Sequence, residues 1–106
     1  MAENNLLTKL EGLEIKFEEI STLITDPSVI ADQKRYVKLN REYKELERVL
    51  EALHRYRRLL TGIEEAKDLI ATENDPEMKE MARLELAELE PQLEPMEEEI
   101  KLLLVP

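Results

Sequence analysis

A chain of 106 residues has room for one domain, and its lack of Cys excludes disulfides, thiolate nucleophiles and Cys-based zinc sites. With 4% aromatic and 38% charged residues, it has the make-up of long solvated helices rather than of a thick-cored globule enclosing a catalytic pocket. The net charge of −10 argues against wrapping duplex nucleic acid, and two Gly are too few for a phosphate-cradling loop.

The first helix is predicted over about residues 5–24, with Asn4 or Asn5 as its cap. Leu6, Leu10, Leu13, Phe17, Ile20 and Ile24 fall on one face of it. Pro27 then breaks the pattern, because it has no N–H to give and forces Asp26 out of helical space. Asp26 and Pro27 also suit a short capped turn through Ile30.

The second helix is predicted over about 32–72, capped by Asp32. Its seam, Tyr36, Leu39, Tyr43, Leu46, Leu50 and Leu53, follows the alternating three- and four-residue steps of a coiled coil and resumes at Leu60. Beyond Leu60 the beat slips to Ile63, Ala66 and Ile70, beside Thr61-Gly62. Two readings fit: a continuous helix with a drift in phase, and a break at the glycine. Tyr36 and Tyr43 lie on the seam and read as core, whereas Tyr56 sits just beside it.

Asn74-Asp75-Pro76-Glu77 restarts the chain. Asp75 is placed to cap and Pro76 to occupy the first helical position, where its missing N–H costs nothing. The third helix is predicted over about 76–104, with its seam on Ala82, Leu86, Leu89, Leu93, Met96, Ile100 and Leu103. Pro91 and Pro95 fall on the outer face of that register, and the expectation is one curved helix rather than two. Met78, Met81 and Met96 read as gap-filling core, and Glu97-Glu98-Glu99 as a solvated face.

Short joints make neighbours antiparallel. Folding back places Leu6 near Leu50 and Leu103 near Lys44, so the first and third helices share the middle of the second. The fold class is therefore all-α: an extended, staggered antiparallel three-helix bundle or coiled-coil hairpin covering 1–106. The apolar end, Leu102 to Pro106, reads as the cut edge of a larger protein. No apolar run approaches the roughly 18 residues of a membrane span, and the start of the chain lacks a secretory signal. The expected setting is the cytoplasm, with no membrane partner. His54 has no second His and no Cys to share a metal, and no cofactor is expected.

Charge is unevenly spread. Residues 1–33 carry seven acids and two bases, residues 34–58 nine bases and four acids, and residues 59–106 fourteen acids and four bases. Lys34, Arg35, Lys38 and Arg41 form the best candidate contact cluster, with Arg55, Arg57 and Arg58 second. The competing reading is a solvated helix face whose bases pair along the helix, as in Glu51–Arg55 and Glu45–Arg48. Under the first reading, RNA meets the basic stretch and a basic protein meets the acidic one around 73–80.

Three segments carry a resemblance: Ile30-Ala-Asp-Gln-Lys-Arg-Tyr-Val-Lys-Leu-Asn-Arg-Glu-Tyr-Lys-Glu-Leu46, Asn74-Asp-Pro-Glu-Met-Lys-Glu-Met-Ala82 and Ile100-Lys-Leu-Leu-Leu-Val-Pro106. In order and spacing they resemble the N-terminal helical domain of the bacterial release factor 1 family, the class I release factors. That resemblance implies a role in translation termination. Full-length members read stop codons and promote peptidyl-tRNA hydrolysis through a Gly-Gly-Gln motif. This chain has no Gly-Gly pair, so no activity of its own is expected. The partners implied are the ribosome, at its stalk-base protein and large-subunit rRNA, and the GTPase release factor. A generic coiled-coil scaffold or dimerisation arm is the alternative, with self-association through exposed Leu and Ile.

Overall fold

The computed structural model describes residues 4–105, which form two units divided between Leu53 and His54. Among these residues there are only helices and their joints: α1 (Asn5–Leu23), α2 (Pro27–Ala31), α3 (Gln33–Thr72), α4 (Pro76–Leu89), a 3₁₀ turn (Glu90–Gln92) and α5 (Leu93–Leu104). The all-α class follows.

In the first unit, Asn4 starts α1 by accepting the N–H groups of Leu6 and Leu7 at 3.1 and 3.2 Å on its side-chain oxygen. These are two of the donors that a helix start otherwise leaves unpaired. Leu10 and Ile20 are buried, and Leu6, Leu13, Phe17 and Ile24 half-buried, so the expected face is the one that packs. Phe17 stacks on Tyr43 of α3 with ring centroids 4.7 Å apart and an interplanar angle of 24°. That geometry favours an aromatic pair, and it uses Tyr43 as packing.

The joint after α1 is built by Asp26. Its carboxylate accepts both the Ser28 N–H at 2.9 Å and the Ser28 hydroxyl at 2.8 Å, opening α2 with Pro27 at its first position. Val29 anchors this five-residue helix, being 1% exposed. Asp32 then caps α3, accepting the Arg35 N–H at 3.3 Å. The Ser28 N–H, then the Ser28 hydroxyl, and more weakly the charge of Arg35, hold Asp26 below its ordinary 3.8. A carboxyl whose folded value is depressed contributes stability that is full above 3.8 and fades as pH falls through the lower folded value. The Ser28 amide resonance in an NMR titration should therefore move with a midpoint below 3.8. In Asp26→Asn the movement should vanish.

In the second unit, α3 passes Thr61-Gly62 as unbroken helix. The drift in phase lies earlier than expected. Buried positions step from Leu53 to Tyr56, Leu59, Ile63 and Ala66, while Leu60 is only half-buried. Two successive steps of three replace the usual three and four, and the packing stripe rotates to follow them. Tyr56 is thereby brought into the core at 1% exposure.

The second joint is again an acid turn. Glu73 accepts the Asn74 and Asp75 N–H groups at 3.1 Å each, and Asp75 caps α4 through the Glu77 N–H at 3.0 Å. The returning chain runs antiparallel to α3. Leu69 shares a groove with Met78 and Ala82, Gly62 faces Leu89, Tyr56 bonds Glu97, and Arg55 bonds Glu99.

The expected single curved helix over 76–104 is instead α4, a 3₁₀ turn and α5. The prolines explain the division. Pro91 lies in the first turn of the 3₁₀ segment, and Pro95 is the third residue of α5. In a first turn the N–H has no intrahelical acceptor, so restarting the helix twice spares both prolines a lost hydrogen bond. The Leu93 N–H reaches back three residues to the Glu90 carbonyl, and the Gln92 side chain covers the Glu88 carbonyl at 3.0 Å. The seam survives: Ala82 and Ile100 are buried, and Leu86, Leu89, Leu93, Met96 and Leu103 are half-buried.

The glycines supply a controlled comparison. A Cβ on Gly12 would meet nothing, whereas one on Gly62 would lie 3.2 Å from Leu89 Cδ1. Gly12→Ala is expected to raise stability by about 1 kcal/mol in urea unfolding, the helix-propensity difference alone. Gly62→Ala should gain less, because Leu89 must shift to admit the new carbon.

Candidate functional site

The basic stretch begins at the first turn of α3. Lys34, Lys38 and Arg41 stand at i, i+4 and i+7 on one face, with Arg35 about a quarter turn round the helix. All four side chains are exposed, and none forms an ion pair among the described residues. The same face carries Val37, 50% exposed. The Asp26 joint fixes where this face starts, because Arg35 donates its backbone N–H to the cap residue Asp32.

The second group, Arg55, Arg57 and Arg58, is not one cluster. Arg55 turns to α5 and pairs with Glu99 at 3.2 Å, with both side chains about half exposed. Its Nε is buried without a hydrogen-bond partner. Arg57 lies against His54, Nη2 to Nδ1 at 3.1 Å. Arg58 is exposed. The structure thus leaves the first four bases together and draws Arg55 into holding α5 against α3. Neither Glu51–Arg55 nor Glu45–Arg48 pairs among the described residues. At the surface such pairs contribute little, and Arg55 does better on a partner fixed by packing.

Two expectations about acids and methionines are corrected here. Glu97-Glu98-Glu99 is not a plain solvated face: Glu97 accepts the Tyr56 hydroxyl at 2.5 Å, Glu99 holds Arg55, and Glu98 alone turns outward to Lys101 at 3.5 Å. The signal lay in the seam itself, since Glu97 and Glu99 flank it at the positions that carry interhelical pairs in coiled coils. Met78 and Met81 are not core. They are 46% and 69% exposed, while Met96 is half-buried as expected.

No group of three or more His, Cys, Asp or Glu comes together to hold a metal among the described residues. Nor is any helix among them long and apolar enough to cross a membrane. The surface carries an exposed basic face on α3 and an acid-rich α4–α5 arm.

The family model of the PCRF domain matches residues 13–106. Over all 106 residues the chain is 60% identical to peptide chain release factor 1 of Parabacteroides distasonis, covering 29% of that protein. The corresponding protein of Bacteroides fragilis is 59% identical, again over the whole chain and 29% of its own length. That of Flavobacterium psychrophilum is 50% identical over 95% of the chain and 28% of its own length. The chain thus spans less than a third of the curated relatives it matches. No solved structure matches.

Proposed function

The chain belongs to the PCRF domain family, and on that premise we propose that it serves translation termination as the ribosome-docking helical part of a class I release factor. The observation that carries this reading is the family match over 13–106 on a chain whose most basic face stands exposed and forms no ion pair among the described residues. In the whole protein, other parts read the stop codon and promote peptidyl-tRNA hydrolysis in the cytoplasm. This chain, with no Gly-Gly pair, contributes position and no chemistry. Its basic face meets large-subunit rRNA at the stalk base, and its acid-rich arm meets protein there, the stalk-base protein or the GTPase release factor.

Lys34, Arg35, Lys38 and Arg41 form the primary RNA contact. Arg57 and Arg58 are secondary, and Arg55 serves the fold more than the ribosome. Charged helices suit this work, because long-range charge steers association. The scaffold or dimerisation alternative has no support from the family match. The test is association of the chain with ribosomes over a salt series, comparing wild type with Lys34→Glu/Arg35→Glu/Lys38→Glu. Unchanged affinity of the variant at low salt would end the reading.

A further inference from the structure

The groove between the end of α3 and the first half of α4 exposes more apolar surface than a helical pair requires. Leu69 is 38% exposed, Met78 46%, Met81 69% and Leu84 61%. With Ala82, Glu85 and Glu88 they line one continuous depression. Single exposed apolar residues are ordinary on a soluble surface, but a contiguous cluster with a polar rim marks a place of contact. Methionine suits such a place, because its unbranched, polarisable side chain reshapes itself around what it meets.

The rim has one sign. Residues 64–90 hold ten acids against Lys67, Lys79 and Arg83, and Arg83 is already occupied by Glu80 at 3.5 Å. Glu85 and Glu88 border the apolar floor and pair with no base among the described residues. Phosphates and anionic lipid surfaces are repelled by such a rim. A second copy of this chain fits poorly, because the exposed basic face of α3 offers Val37 where a groove of this kind takes an apolar ridge spaced i, i+3, i+4 and i+7.

We propose that this groove docks a basic amphipathic helix of another protein. The helix lays its apolar ridge on Leu69, Met78, Met81 and Leu84 and brings Lys or Arg from its flank to Glu85 and Glu88. The proposal rests on exposure and charge alone, and it stands or falls separately from the RNA-facing role of Lys34, Arg35, Lys38 and Arg41.

The test uses the 106-residue chain with its methionine methyl groups labelled for NMR. The probe is a model peptide of about 16 residues, long enough to form a helix on a surface, with Leu at i, i+3, i+4 and i+7 and Lys elsewhere. Its control is the same peptide with Glu for Lys. The Lys peptide should shift Met78 and Met81 while leaving Met96 in place, and should bind about tenfold or more tightly than the Glu peptide. Met81→Ser/Leu84→Ser, which alters only exposed positions, should abolish binding with helicity by circular dichroism unchanged. Glu85→Lys/Glu88→Lys should reverse the preference between the peptides, and Glu94→Lys, outside the groove, should leave it intact. Equal binding of the two peptides, shifts centred on Met96, or binding that survives Met81→Ser/Leu84→Ser overturns the proposal. So does concentration-dependent self-association in sedimentation that the same double variant removes, since the occupant is then a second copy.

Discussion

Tyr56→Ala should destabilise the second unit by about 4 kcal/mol, the cost typical of removing a buried aromatic ring. Tyr56 is 1% exposed and at the same time bonded to Glu97 across to α5. Tyr56→Phe separates the two contributions. It keeps the ring and deletes the hydroxyl, and should cost about 2 kcal/mol, the net worth of a hydrogen bond to a charged carboxylate. Urea unfolding followed by circular dichroism gives both values from the midpoints at constant slope. If Phe and Ala cost the same, the ring does not hold the helices together and the packing described for this unit is wrong.

The second large effect is on association. Each base that meets a phosphate releases condensed counterions, so affinity falls with salt in proportion to the number of such contacts. Removing three of them should flatten the plot of log affinity against log salt by about two units, with affinity at low salt lower by about a hundredfold. Arg55→Ala provides the contrast. Because Arg55 is engaged by Glu99 at 3.2 Å, its loss should leave the salt slope nearly unchanged. A slope that responds to Arg55 and ignores Lys34, Arg35 and Lys38 would move the contact face along α3.

The helices were legible in the sequence because their punctuation is chemical and local. Asn4, Asp26, Asp32 and Asp75 each cap where a short polar side chain precedes an apolar run, and Pro27 and Pro76 occupy first positions that no other residue fits as cheaply. The apolar faces of α1 and of the α4–α5 arm were legible for the same reason. Three things were not. The slip at Leu53, Tyr56 and Leu59 is a tertiary choice, since Leu59 and Leu60 are adjacent and equally apolar and only packing selects between them. The 3₁₀ turn was hidden because a proline on an outer face is compatible both with a bend and with a restart. The exposure of Met78 and Met81 escaped because helical spacing shows that a residue shares a face, not that anything covers it.

The candidate site was half visible. Composition located the basic stretch, and the i, i+4, i+7 spacing grouped Lys34, Lys38 and Arg41. Composition could not separate Arg55 from its neighbours, because its partner Glu99 lies 44 positions away and is found only by folding the arm back.

The double restart at Pro91 and Pro95 divides the ladder of amide protons in the returning arm. Zipping from α4 halts where Pro91 has no proton to pass on to the Ala87 carbonyl, and α5 must nucleate afresh. Its tether is Ile100, 0% exposed, together with Glu97 and Glu99. Hydrogen exchange should therefore report α5 opening and closing as a patch of its own while α4 stays shut. The twelve residues of α5 can release their grip on the long helix and regain it without unravelling α4.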